Sequence, residues 1–277
     1  MAQAAEFSVR FWGVRGSIAC PGPDTVRYGG NTSCLEVMCG GRRLIFDGGT
    51  GLRPFGETMG GDAPIDGDIF LTHTHFDHVC GLPFFRPFFS SKNSFRLWAG
   101  HLRPEYTLRR VLTEMMMAPL FPVPPEVFAA SMDYRDFTAG ETLEPAPGLS
   151  IRTAPLNHPD RATGYRVEFA GRSLCYITDT SHTEGKRDEA LVAFVRDADM
   201  MIYDSTYTDA EFPNCCDYGH STWQEGLRIC EAANVGRSVI FHHDPSHDDD
   251  FMDGIAAQAE EMRPGTVVAC EGMVLEP

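Results

Sequence analysis

His73-Thr74-His75-Phe76-Asp77-His78 follows the apolar run Ile69-Phe70-Leu71 and a single threonine. Four metal-capable side chains thus fall within six positions at the end of a predicted strand. Residues two apart in a strand share a face, so His73 and His75 can reach one ion. The chain must then turn for Asp77 and His78 to reach a second. Imidazole with carboxylate suits zinc, manganese or iron. The alternative is a solvated polar loop with incidental histidines. The tight clustering, and the further candidate ligands downstream, argue against it.

Beyond this stretch, 277 residues with 43% hydrophobic content can bury a sizeable core. The formal charge of −16 opposes gripping long nucleic acid on a basic face. A local basic pocket remains compatible with it, and acidic metal ligands would account for part of the excess. The nine cysteines contain no C-x-x-C pair, so a cysteine-built zinc site is not expected. The adjacent Cys215-Cys216 is read as ordinary thiols. Met1 to Phe7 lacks an apolar signal-peptide core, and no run of about 18 apolar residues occurs. The expectation is a cytoplasmic protein with reduced thiols and no membrane span.

Short apolar runs predict strands at Phe7–Trp12, Leu35–Cys39, Leu44–Phe46 and Ile69–Leu71. Later strands are expected at Leu149–Thr153, Tyr165–Phe169, Leu174–Ile177, Met200–Tyr203 and Ser238–Phe241, with a final pair at Val267–Ala269 and Met273–Leu275. Helical patterns occupy Leu108–Met117, Glu189–Arg196, Thr222–Ala233 and Phe251–Met262. Ser221, with Glu225 nearby, is the expected cap of the third helix. The chain reads as one α+β domain over residues 1–277, two sheets packed face to face with helices outside. Residues 82–128 hold Pro83-Phe84-Phe85-Arg86-Pro87-Phe88-Phe89 and Met115-Met116-Met117. They read as an apolar insertion that covers the site, forms a dimer surface or simply packs into the core.

Three more candidates follow predicted strands. They are His158 after Leu149–Thr153, Asp179 after Leu174–Ile177 and His242 after Ser238–Phe241. A carboxylate at Asp179 has two oxygens to share between cations. Each alone is a weak signal; together all could meet along one sheet edge.

These motifs resemble the metallo-β-lactamase superfamily, within it the phosphodiesterase branch that includes ribonuclease Z and the cyclic-phosphate phosphodiesterases. Besides the histidine motif, the resemblance rests on His158, Thr178-Asp179-Thr180, Asp204-Ser205-Thr206-Tyr207, Gly219-His220-Ser221-Thr222 and Ile240-Phe241-His242. It spans roughly residues 7–270 and implies an αββα sandwich with two divalent ions. One ion would take His73, His75 and His158. The other would take Asp77, His78 and His242, with Asp179 bridging. His242 is preferred to His243 because its predecessor matches the family's strand residue; His243, Asp244 and His247 then fall to supporting or solvated roles. Asp47, in Phe46-Asp47-Gly48-Gly49-Thr50-Gly51, would support the site without binding metal.

Two cations activate water and stabilise charge on a phosphoryl group, which suits attack on a phosphodiester. His220 is the expected proton donor, with Asp204 orienting it and raising its pKa; an N-terminal neighbour of the following helix is the plainer role. Asp77, His220 and Asp204 form the expected catalytic set. The loops Gly13–Ser17 and Tyr28–Ser33 could approach a phosphate or be plain turns. Arg161 and Arg166 could face phosphate or balance the acidic surface. The first expectation is a phosphodiesterase on a small or cyclic phosphodiester, with a homodimer in view. A tRNA-processing nuclease ranks lower, because no counterpart of ribonuclease Z's long Gly/Pro-rich arm is visible. A lactone or thioester hydrolase, and a non-enzymatic metal-dependent sensor, are further alternatives; a β-lactamase proper ranks last.

Overall fold

The computed structural model describes residues 7–61 and 63–277. Six strands come first: β1 (Phe7–Gly13), β2 (Cys34–Cys39), β3 (Arg42–Phe46), β4 (Asp66–Leu71), β5 (Ser94–Ala99) and β6 (Ser131–Asp136). Eight follow: β7 (Thr142–Ala146), β8 (Leu149–Leu156), β9 (Ala162–Phe169), β10 (Arg172–Ile177), β11 (Met200–Asp204), β12 (Arg237–Phe241), β13 (Val267–Val268) and β14 (Val274–Leu275). The helices are α1 (Leu52–Thr58), α2 (Phe76–Val79), α3 (Leu108–Met115), α4 (Glu189–Val195), α5 (Trp223–Ala232) and α6 (Asp249–Met262). None is long and apolar enough to cross a membrane.

The strands form two seven-stranded sheets, ordered β14-β1-β2-β3-β4-β5-β6 and β13-β12-β11-β10-β9-β8-β7. Alternation along the strands explains the layering. In β1, Phe7, Val9 and Phe11 point into the layer between the sheets, where they meet Val167, Tyr176 and Phe241. In β4 the faces divide: Phe70 enters that central layer, while Ile69 and Leu71 join Phe55, Phe85 and Leu108 outside. A strand covered on both faces reads as a continuous apolar run, as Ile69–Leu71 does. The helices α4 and α5 pack outside the second sheet through Leu191, Val195, Ile229 and Cys230. The expected αββα sandwich is therefore the architecture found.

Within each sheet a parallel run positions the site. The strands β3, β4, β5 and β6 pair in parallel, as do β10, β11, β12 and β13. In parallel sheets, ligands bind beyond the carboxyl ends of the strands. Here those ends carry Asp47, His73, Asp179, Asp204 and His242.

Several local expectations change. The strands β5, β6 and β7 and the short helices α1 and α2 were not foreseen. The edge strand β6, Ser-Met-Asp-Tyr-Arg-Asp, buries little and shows no apolar run. The final two strands do not pair with each other: β13 extends the second sheet, whereas β14 returns to β1 in the first. Thr222 rather than Ser221 caps α5, its hydroxyl accepting from the Glu225 N–H at 3.1 Å. The apolar stretch 82–128 is divided in role. Residues 94–99 are β5 itself, and Phe85, Phe88 and Met116 are buried outside the first sheet. Phe84, Phe89, Met117 and Leu120 lie on the surface.

One buried ion cluster closes the first sheet. Asp68, fully buried on β4, accepts from Arg96 Nε at 2.6 Å and Trp98 Nε1 at 3.0 Å, and also from Arg42. Burial alone would raise the pKa of this carboxyl, but the donors from Arg96, Trp98 and Arg42 prevail and lower it. Replacing Asp68 by Ala leaves these donors without their acceptor and is expected to cost about 3 kcal/mol. Urea unfolding at neutral pH measures this; a loss under about 1 kcal/mol would show that water replaces the carboxylate. A depressed folded pKa stabilises above the unfolded value, so the gap between wild type and variant should shrink on acidification.

Candidate metal centre

Seven of the expected residues come together at the strand ends. His73, His75 and His158 bring one ligand atom each within 4.8 Å of one another, and Asp77, His78, Asp179 and His242 do the same. Asp179 joins the two groups. Its Oδ1 lies 3.7 Å from His73 Nε2 and 3.8 Å from His158 Nε2. Its Oδ2 lies 3.2 Å from His78 Nε2 and 3.3 Å from His242 Nε2.

The imidazoles are held from behind. His78 Nδ1 is 2.9 Å from Asp47 Oδ2, His242 Nδ1 is 3.0 Å from Thr206 Oγ1, and His158 Nδ1 donates to the Gly219 carbonyl at 2.7 Å. His73 Nδ1 is 3.1 Å from Thr72 Oγ1. With one nitrogen engaged outward, the other turns inward. The Nε2 atoms of His73, His78 and His242 are buried and have no hydrogen-bond partner among the described residues. Buried polar groups are rarely left so. Inward lone pairs facing carboxylate oxygens are the donor set a pair of divalent cations requires. Asp47 takes the supporting place expected of it, also accepting from Thr72 N and Tyr176 Oη at 2.8 Å each.

The electrostatics agree. Burial keeps His73 neutral, well below the usual imidazole range. Burial opposes charge on His78 too, but Asp179, Asp77 and Asp47 overrule it and raise its pKa well above the usual value. Burial likewise opposes ionisation of Asp77 and Asp179, and the surrounding imidazoles reverse this, His78 foremost for Asp77 and His242 foremost for Asp179. The spot among these carboxylates favours positive charge strongly.

Three residues of the site have left-handed backbones: Asp47 at φ 59°, Asp179 at 58° and His242 at 62°. Each closely follows a strand and turns its side chain back toward the cluster. Small neighbours make room. A Cβ on Gly16 would fall 2.4 Å from the His242 ring, and one on Gly219 would fall 2.7 Å from His158 Nδ1.

His220 stands beside both groups. Its Nδ1 is 3.0 Å from Asp204 Oδ2 and 3.9 Å from Asp179 Oδ1. Burial disfavours its charge, but Asp204 prevails and lifts its pKa to about 9. His243 is turned away, its Nε2 donating to the Ala269 carbonyl at 2.8 Å. His247 bonds Glu211 and Asp244 bonds Ser246. Arg166 is committed to the carbonyls of Phe194 and Arg196, and Arg161 to Glu105. In the loop Tyr28–Ser33, Asn31 is held by Glu271 and Thr32 by Thr50. Ser17, by contrast, donates its N–H to Asp77 Oδ2 at 2.8 Å. Sequence reasoning missed the supporting roles of Thr72, Thr206 and the Gly219 carbonyl. The threonines stand one residue before His73 and two after Asp204, a faint signal; the carbonyl leaves none.

A family model described as the beta-lactamase superfamily domain matches residues 42–243, which includes every residue of both groups. A ribonuclease Z from Bradyrhizobium diazoefficiens is 27% identical over an alignment 310 positions long, covering 96% of this chain and 98% of the relative. Among solved structures, zinc-bound PqqB from Methylobacterium extorquens superposes with a TM-score of 0.73 at 19% identity, covering 98% of this chain and 100% of that one. A diphosphatase from the PhnP family gives 0.71 at 19% identity, covering 98% of each chain. The chain therefore belongs to the beta-lactamase superfamily and is a metal-dependent hydrolase.

Proposed function

We propose that the protein hydrolyses a small or cyclic phosphodiester with two divalent cations bound at this centre. His73, His75 and His158 would hold one ion; Asp77, His78 and His242 the other, with Asp179 between them. Zinc or manganese, with iron also suited to the donors, belongs to this proposal. When bound, the cations supply Lewis-acid activation of water and neutralise charge on the phosphoryl oxygens.

The observation that carries the reading is the His220–Asp204 pair beside the ligand groups. A phosphodiester releases an alkoxide, which needs a proton. Asp204 Oδ2 accepts from His220 Nδ1, fixing the ring and leaving Nε2–H as the proton to give. Burial opposes charge on this ring, and Asp204 beside it overrides that and favours the protonated form. Asp204 is itself fixed by Thr206 Oγ1 at 2.7 Å and by the N–H of Thr180 at 3.1 Å. Asp77, held by Ser17, serves as ligand and as part of the catalytic set.

The substrate's size is inferred from the surroundings of the site. Between His158 and Asp179 the chain makes only the hairpin β9–β10, closed by Ala170-Gly171. That leaves no arm there to embrace a large polymer, and the charge of −16 repels one. A tRNA-processing nuclease is the second reading, favoured by the ribonuclease Z relative. A cytoplasmic setting and a homodimer complete the proposal. The exposed Phe84, Phe89, Met117 and Leu120 support an apolar surface suited to a second copy.

Metal-stripped protein should be inert toward bis(p-nitrophenyl) phosphate and regain turnover with zinc or manganese. Protein holding two ions but inactive would move the assignment to ester, lactone or thioester substrates. Side-by-side turnover of cyclic nucleotides and a precursor tRNA then separates the first reading from the second. Replacing His220 by Ala should lower kcat about 10²- to 10⁴-fold with both ions retained. Loss of an ion in that variant, read by elemental analysis, would make His220 a ligand instead.

A further inference from the structure

Arg15 is fully buried. Its Nε donates to the Gly29 carbonyl at 2.8 Å, and its Nη1 to the carbonyls of Asp244 at 3.0 Å and His247 at 2.6 Å. Its Nη2 has no partner among the described residues. A guanidinium taken wholly out of water and bonded only to carbonyl oxygens is costly to keep, since among the described residues no carboxylate offsets its desolvation. Its backbone is equally tied. The Arg15 N–H reaches the Asn31 carbonyl at 2.9 Å, Gly16 N–H the His243 carbonyl at 3.0 Å, and His243 N–H the Val14 carbonyl at 2.9 Å.

The next two residues, Gly16 and Ser17, both touch the metal centre. Gly16 lies against the His242 ring so closely that a Cβ there would come within 2.4 Å. Ser17, left-handed at φ 61°, aims its N–H at Asp77 Oδ2. His242 and Asp77 follow strands of different sheets, their side chains meet at 3.5 Å, and the Val14–Ser17 segment touches both. Two of the carbonyls that anchor the guanidinium, those of Asp244 and His247, lie on the loop that leaves His242.

We propose that Arg15 is a positioning residue of the metal centre. Its guanidinium clamps the Val14–Ser17 segment to the loop after His242 and so sets the spacing of Asp77 against His242. The inference rests on the two-cation reading above. It assigns Arg15 to the ion held by Asp77, His78 and His242, and not to the one held by His73, His75 and His158.

The test is zinc binding by chelator competition on metal-stripped full-length protein, without any substrate. Wild type should bind two equivalents, and His242→Ala identifies which belongs to the Asp77 group. In Arg15→Met that equivalent should weaken about 10- to 100-fold, the range for groups that orient ligands, while the other is unchanged. Arg15→Lys, which keeps a charge and a donor, should recover part of the loss. Gly16→Ala keeps the guanidinium but presses on His242; it should weaken the same equivalent, and it carries the test if Arg15→Met does not fold. Visible spectra of the cobalt-loaded proteins should change in the same variants. Two equivalents as tight as wild type in a folded Arg15→Met or in Gly16→Ala would overturn the proposal. So would equal weakening of both equivalents in step with thermal stability. A wild type that binds no second equivalent would instead overturn the two-cation reading, and this inference with it.

Discussion

Asp179 is the constraint on which the rest depends. A fully buried carboxylate loses its hydration, and this penalty amounts to several kcal/mol unless positive charge and hydrogen bonds replace it. Here Asp77 and Asp204 are buried close by, which compounds the cost. Imidazoles with inward lone pairs cannot meet that demand while neutral. Cations can, and the geometry divides the two oxygens of Asp179 between the two ligand groups. The outer ring of Asp47, Thr72, Thr206 and the Gly219 carbonyl then fixes which nitrogen each histidine turns inward.

The sandwich supplies the scaffold for this arrangement. Two parallel runs, one per sheet, end at the same edge, so residues distant in sequence arrive with their strand directions already set. Phe46, Phe70, Tyr165 and Tyr176 stack and cross just beneath the site. That aromatic floor excludes water from below and holds the sheets in register. The Tyr176 hydroxyl also reaches Asp47, joining the central core directly to the ligand support. Packing and polar organisation are therefore one structure.

Much of this was legible in the sequence, for definite reasons. Candidate ligand atoms sit on specific residue types, and their strand-end positions leave an apolar run followed by histidine or aspartate. His73, Asp179 and His242 all show it. The layering followed from predicted strands coming first and mixed strands and helices after; the alternation of Phe7, Val9 and Phe11 into the central layer is the structure's own detail. The features that escaped were of two kinds. Half-exposed strands such as β6 lack a continuous apolar run, and the alternation of Met132 and Tyr134 alone is too short to stand out. Backbone groups such as the Gly219 carbonyl and the Ser17 N–H have no residue type at all. Arg15 was seen only as part of a turn-rich loop, since nothing local distinguishes a buried arginine from a solvated one. The split destinations of β13 and β14 depend on tertiary pairing that two-residue strands cannot encode.

The left-handed backbones at Asp47, Asp179 and His242 have a meaning for how such a chain changes over generations. Glycine enters that conformation without hindrance, and asparagine, aspartate and histidine more easily than other residues. Asp47, Asp179 and His242 are therefore drawn from the few side chains that tolerate this backbone and also carry a carboxylate or an imidazole. Most substitutions there would remove the polar group and strain the turn together, so neither change comes alone.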